Sequence, residues 1–408
     1  MRIVSFIAKK LAGGTRAGLS SFVTQLSVVA TSFSVAIMIL TLAFVAGFQD
    51  TVAKKVYSFW GNIRVQEQGI AAEDYTAEIA GTASDAVYST IAQNPAVKHV
   101  DAYALKAGLL KSNTSIEGLF LKGVDTNFSN ERMRPFLQEG RWMSFQNASV
   151  EMVISGYTAR ILQLKVGDKA FIYFMSKDGS ASRVRPVTVC GIYKTAIEEY
   201  DRSFAWIPLS FLQKISGGDS LSISGYEVSL HDQGKEAQVA GALMDALPVS
   251  WFATPLDQLY PNLFDWLNLQ DVNRRMIIII MCIVAIINLV SCLLILVLER
   301  SKMIGLLKAV GATDLQVQGV FWRQGVRIGF KGVLWGNLLG LAIAFIQQAT
   351  GFIRLDESAY YIREAPVKLI WWQIVWVDMV TLIVCFLVLL LPSLLVRRIR
   401  PVEALRFD

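Results

Sequence analysis

The chain has 408 residues, of which 53% are hydrophobic and only 18% charged, and its mean hydropathy is +0.44. A soluble domain carries about 25% charged residues, so this balance argues against a purely soluble enzyme; it also excludes disorder, which needs low hydrophobicity and high net charge. Four cysteines and two histidines are too few for a disulfide framework or a zinc cluster, and Cys282, Cys292 and Cys385 lie in apolar runs as small hydrophobes.

In chain order, a basic amphipathic stretch at 1–21 precedes the first of four nearly uncharged windows: 17–49, 276–298, 332–353 and 369–396, the last holding only Asp378. About 20 apolar residues cross roughly 30 Å of hydrocarbon. The windows therefore predict membrane helices at 22–48, 276–298, 329–350 and 371–396, a helical membrane protein with four spans. Arg2, Lys9, Lys10 and Arg16 lie before the first span, six basic residues stand against two acids between Leu298 and Gly332, and Arg397, Arg398, Arg400 and Arg406 lie in the tail at 397–408. The positive-inside bias puts both termini and the 299–328 turn in the cytoplasm. Residues 49–275 then lie outside with 22 basic and 25 acidic residues, and a loop at 351–370 joins the last two spans. The net charge of +6 is thus membrane-proximal, and nucleic acid is not an expected partner.

The segment 49–275 is long enough to bury a core. AFIYF and RVRPVTVCGIY flank an Asp178-Gly179 turn and predict a hairpin over 171–189, whereas Val87/Ile91 and Val239/Leu243 are apolar pairs at helical spacing. The expected fold is a large α+β domain, in one or two lobes. His99 and His231 lack neighbours at metal-ligand spacing, Ser155-Gly156 lacks the flanking glycine of a nucleophile elbow, and no P-loop text occurs. No catalytic residues, metal or cofactor are expected on this chain, so energy must come from a partner.

After the second span, Met303, Ile304, Leu307 and Val310 share a helical face, Gly311 is placed to end that helix in a left-handed cap, and Thr313 with Gln316 forms a capping box. Two helices are expected to meet at this turn. From the residues alone it is either an ordinary loop or a lever seated in a cytoplasmic partner. Asp378 stands near Trp371, Trp372 and Trp376 and reads as interfacial, while Asn288 and Asn337 read as polar glue between helices.

Glu299, Arg300, Ile304, Gly305, Leu307, Lys308, Ala309, Gly311 and Ala312 resemble the corresponding turn of ATP-binding-cassette permeases of the MacB/FtsX type, with Met303 where an acid is usual. LKGVD at 121–125, VISGYTARILQLKVGD at 153–168 and RPVEALR at 400–406 are similar to that superfamily's text. AGFQDTVAKKV and SAYYIREAPVKL point to its lipoprotein-releasing branch, the LolC/LolE family. The resemblance implies a bacterial inner-membrane permease paired with an identical or related permease and bound to a cytoplasmic ATPase dimer, which would hold the ATP and magnesium. It implies lipoprotein substrates, taken from the outer leaflet and passed to a periplasmic carrier. Glu299, Lys302, Lys308, Gly311, Ala312, Thr313, Asp314 and Leu315 would couple to the ATPase. Val35, Leu42, Val45, Phe48, Ile283 and Ile287 would line the place where a lipoprotein enters. Phe174, Met175, Arg183, Arg185 and Pro186 fall where this branch carries a hook for the carrier, and the reading takes them as an exposed hairpin tip. The rival functions are an FtsX-like permease that moves a cell-wall hydrolase and a MacB-like efflux permease.

Overall fold

The computed structural model describes residues 19–69, 79, 81–128, 130–145, 149–174, 183–216, 220–299 and 301–388. They fall into two compact units. The helical unit takes the described residues through Asp50, Leu267–Arg354 and those from Glu364 onward; the α+β unit takes Thr51–Trp266 and Leu355–Arg363.

Helix α1 (Leu19–Trp60) opens the described chain. The α+β unit continues with β1 (Ile63–Glu67), β2 (Gly81–Thr82), α2 (Asp85–Ala92), β3 (Val97–Lys111), β4 (Ile116–Val124), β5 (Leu137–Gly140), β6 (Glu151–Ser155), α3 (Gly156–Leu162), β7 (Lys169–Phe174) and β8 (Arg183–Tyr193). It then adds α4 (Glu198–Ser203), β9 (Phe204–Pro208), α5 (Leu209–Ile215), β10 (Ser222–Ile223), β11 (Gly225–Leu230), α6 (Glu236–Ala246), β12 (Trp251–Pro255) and α7 (Leu256–Leu259). The remaining helices are α8 (Pro261–Glu299), α9 (Ser301–Ala309), α10 (Asp314–Thr350), α11 (Glu357–Tyr360) and α12 (Trp371–Val388).

One ten-stranded sheet runs β12-β1-β11-β3-β4-β9-β6-β8-β5, and β7 pairs with both β3 and β8. That extra pairing closes β3, β4, β9, β6, β8 and β7 into a ring, with parallel contacts at β4–β9 and β6–β8. Strand period 2 explains the interior. Leu119 and Leu121, Met152 and Ile154, Ala170, Ile172 and Phe174, Val187 and Val189, and Ala205 and Ile207 all join one buried cluster. The opposite sheet face carries a second cluster around Phe59, Trp60, Tyr103 and Trp206. The hairpin is present as β7 and β8, with Phe174 opposite Arg183. Its turn lies outside the described residues. Ser84 caps α2, and Val87, Ile91, Val239 and Leu243 are buried as their spacing predicts.

Among the described residues, three helices, from Phe22, Pro261 and Asp314, are long and apolar enough to cross a membrane; α12 is an apolar helix beginning where the last span is expected, and residues 389–408 lie outside the described set. The helices overrun the predicted spans. α1 continues to Trp60 and α8 starts at Pro261, because helical patterning persists where the uncharged window stops. On α1 the buried residues Val35, Ile39, Leu42 and Ala46 give way to Val52, Val56 and Phe59 at the same spacing, so one apolar stripe outlasts the charge-free text.

Candidate functional site

The 299–328 segment folds as read, with more detail than the sequence carries. Gly311 has φ +96°, Gly311 N donates to Lys308 O at 3.0 Å, and Ala312 N donates to Leu307 O at 2.9 Å. This is a complete Schellman motif, and Leu307 and Ala312, the pair such a motif brings together, both pack against the cluster that holds Ile304 and Val317. Thr313 and Gln316 form the capping box, Gln316 Oε1 accepting the Thr313 amide at 3.0 Å. No atom lies within 4 Å of a Cβ built on Gly311, so the glycine is required by its backbone angle and not by crowding.

Two expectations at the turn change. Val310 does not share the buried face of Ile304 and Leu307; it is 82% exposed, because the helix ends there and the chain reverses. Lys308 and Asp314, both expected against a partner, pair with each other at 2.9 Å, with Lys308 only 10% exposed. Glu299, at the end of α8, and Leu315 remain exposed, and the Lys302 side chain lies outside the described residues. The exposed surface of the turn carries the apolar Leu306, Val310 and Leu315 beside the polar Thr313 and Gln316.

Within the helical unit, Val35 and Leu42 are buried against Val333, Ile374 and Val377, which corrects their placement on an accessible face. The cause is a glycine stripe on α10. A Cβ on Gly332 would stand 2.6 Å from Thr31, one on Gly336 would stand 2.6 Å from Val35, and one on Gly340 would stand 3.2 Å from Ala36. The small-residue face of α1 is thus used for packing inside the chain. Val45 and Phe48 are half-buried, and Ile283 and Ile287 are exposed as expected. The free face of α1 is instead Leu26, Val29, Phe33 and Ile37. Asn288 Nδ2 donates to Ser27 O at 3.1 Å, and Asn337 Nδ2 donates to both Asp378 oxygens at 2.9 Å, so both asparagines do bridge helices.

At the hairpin, Phe174 is buried inside the closed ring beside Phe211, with ring centroids 6.3 Å apart. It is no exposed anchor. AFIYF is apolar at every position, so its parity is invisible in the text; the pairing puts Ala170, Ile172 and Phe174 inside and Phe171 and Tyr173 outside. Pro186 lies opposite Phe171 and Val184 opposite Tyr173, and all but the half-buried Tyr173 are exposed. Leu109 and Ile116, on β3 and β4, extend this bare apolar face, with Lys111 on it opposite Phe171; Arg185, opposite Ile172, has the parity of the other face. Arg183 lies on β8 opposite Phe174 with its side chain outside the described residues, as is Met175.

A buried ionic cluster at the end of α1 was not anticipated. Lys122 and Glu227 are fully buried and paired at 2.5 Å. Lys122 Nζ also donates to Phe59 O and lies 4.2 Å from the Trp60 ring centroid and 4.7 Å from that of Trp206. Arg132 reaches Asp101 at 2.6 Å, Glu227 at 3.5 Å and Tyr57 O at 3.1 Å. Two cations thus satisfy carbonyls in the last turn of a 42-residue helix, where its dipole is negative. Burial pulls the Lys122 ammonium down to about 7, against the opposing attraction of Glu227. The available signal was parity: Phe120, Lys122 and Val124 share one strand face, and a lysine between two apolar residues there is a buried charge. Cys190 donates to Met152 O at 3.3 Å, and burial pushes its thiol up to about 12, which fits an inert core position.

Residues 24–246 match the family described as MacB-like periplasmic core domain, more than half of the chain, and residues 275–401 match the FtsX-like permease C-terminal family. The lipoprotein-releasing system transmembrane protein LolC of Xylella fastidiosa is 24% identical over 407 residues, 96% of each chain. The corresponding LolE of Haemophilus influenzae is 20% identical over 401 residues, 95% of each. The solved periplasmic region of MacB from Actinobacillus actinomycetemcomitans overlays with a TM-score of 0.35 at 14% identity, covering 50% of this chain and 92% of that one. This chain belongs to that permease family: it is an ABC-transporter permease of the LolC/LolE type, with a MacB-like periplasmic core domain and an FtsX-like C-terminal permease domain.

Proposed function

We propose that the chain is the membrane subunit of an ATP-driven complex that extracts lipoproteins from the outer leaflet of the bacterial inner membrane and passes them to a periplasmic carrier. The observation that carries this is the end-to-end similarity to LolC, 96% of both chains, which includes helices, outer unit and turn together. α12 is the fourth span, both termini are cytoplasmic, and the α+β unit is periplasmic. ATP and magnesium belong to a separate ATPase dimer, and a second permease, identical or related, completes the complex.

Exposed apolar surfaces support the reading of each step. The Schellman turn presents Val310 and Leu315 to the ATPase on a backbone fixed at both sides by caps. Lipoprotein acyl chains meet Ile283 and Ile287 on α8 and the Leu26–Ile37 face of α1, since Val35 and Leu42 are consumed by packing. Each CH₂ drawn from lipid costs roughly 0.8 kcal/mol, so moving two or three chains needs an apolar receiver close by. The bare face of Leu109, Ile116, Phe171 and Val184, with Lys111 on it, is where the carrier docks.

Purification of the tagged chain from native membranes, with identification of what accompanies it, tests the reading. An ABC ATPase together with acylated lipoproteins is the expected result. Recovery of a cell-wall hydrolase supports mechanotransmission instead, and recovery of an outer-membrane duct supports efflux.

A further inference from the structure

The segment Leu355–Arg363 lies in sequence between α10 and α12, yet it packs as part of the α+β unit. Lys55 of α1 meets it there. Its Nζ donates to Tyr361 O at 2.7 Å and to Thr195 O at 2.8 Å. Around that ammonium, Lys194 pairs with Glu357 at 2.6 Å, the Tyr361 ring stands edge-on to Trp266 at 5.7 Å, and Ile362 is buried. Three stretches remote in sequence, around residues 55, 195 and 361, are joined through one side chain.

The backbone at both carbonyls is unusual. Among the described residues three non-glycine positions have positive φ: Gln163, Ala196 and Tyr361. Gln163 has a local reason, since it caps α3. Ala196 (φ +65°) directly follows the carbonyl of Thr195, and Tyr361 (φ +60°) owns the other carbonyl that Lys55 grips. A side chain with a Cβ adopts this region at a cost, and such strain persists where surrounding contacts over-determine it. Those contacts are visible. Asp201 accepts Thr195 N at 2.9 Å, Thr195 Oγ1 at 2.8 Å and Ala196 N at 3.0 Å, and Tyr361 N donates to Glu357 O at 3.0 Å. A lysine bound to main-chain carbonyls senses backbone position, which a surface ion pair between two mobile side chains does not.

We propose that Lys55 is the positioning residue of a latch that fixes the 355–363 loop to the α+β unit, so that rearrangement of the helices flanking that loop is passed to the unit through this ammonium as well as along the chain. The inference rests on the permease reading for its ATP-driven motion. Burial lowers the Lys55 pKa, opposed by Glu357 and Asp201, and the two carbonyls hold the ammonium in place.

Hydrogen–deuterium exchange of the assembled complex, with and without a non-hydrolysable ATP analogue, tests it in Lys55→Met and Lys55→Arg. Loss of a charged hydrogen bond predicts roughly ten- to hundred-fold faster exchange in Lys55→Met, confined to 355–363 and 194–197, with partial recovery in Lys55→Arg. The exchange change that the ATP analogue produces across the α+β unit should disappear in Lys55→Met while ATP hydrolysis stays within about two-fold, because the turn that meets the ATPase is untouched. Should Lys55→Met fail to assemble, Glu357→Gln removes the Lys194 and Arg363 pairs, leaves the two Lys55–carbonyl bonds in place, and should loosen the same loop by a smaller factor. Unchanged loop exchange in the variants overturns the latch. Faster exchange with the ATP-dependent change intact overturns the coupling. A wild-type complex that shows the ATP-dependent change yet releases no lipoprotein overturns the release reading and leaves the latch standing.

Discussion

Lys122 shows what a single buried charge does in this molecule. Its ammonium has no access to water and is held by Glu227 and the Phe59 carbonyl at the end of α1. Lys122→Met should destabilise the α+β unit by about 3–5 kcal/mol, because Glu227 is left buried with one cation fewer. Adding Glu227→Gln should recover much of that loss, and chemical unfolding of the two variants measures both. Equal instability of single and double variants would refute the pairing argument. At the turn, Gly311→Ala should cost about 1 kcal/mol through its φ of +96°, and Gly311→Val more, with uncoupling of ATP hydrolysis from transport as the readout. Gly311, Thr313 and Gln316 were legible in the sequence because caps are local: three or four neighbouring residues determine them. Lys122, Glu227 and Lys55 were not, because their partners lie scores of residues away and only the folded chain brings them together.

Among the elements, α1 and α10 approach closely in the helical unit at Gly332, Gly336 and Gly340. Gly336→Leu drives a side chain into Val35 and should cost about 1–3 kcal/mol of helix packing, seen as a lower melting temperature in detergent. Trp335→Leu, at an exposed position, should leave the melting temperature unchanged. At the hairpin the parity of β7 separates two neighbours. Phe174→Ala should cost about 3–5 kcal/mol by emptying the ring interior, whereas Phe171→Ser should leave the fold intact and slow transfer to the carrier. Equal stability losses would mean that the register is wrong. The uncharged windows located the apolar helices well, since lipid imposes one composition along a whole segment. They gave no account of the helical extensions at 49–60 and 261–275, where ordinary amphipathic patterning replaces pure hydrophobicity. The six-strand ring was equally invisible, because β7 reaches β3 across more than 50 residues of sequence.

For the whole molecule, the layout of one apolar helix, a large α+β unit and further apolar helices was evident from charge alone, and text at the turn narrowed it to a permease family. The exposed apolar faces of the helices and of the hairpin were only partly legible, since exposure depends on which side of each helix or strand the rest of the chain covers. We propose that this permease works by ATP-driven release of lipoproteins. This is tested most directly by reconstituting the chain with its co-purifying partners and a fluorescent triacylated lipoprotein in proteoliposomes, then adding ATP and a soluble carrier. Vanadate-sensitive transfer of the lipoprotein to the carrier is the expected result, abolished by Gly311→Val and slowed by Phe171→Ser. ATP hydrolysis at full rate with the lipoprotein remaining in the membrane would contradict it.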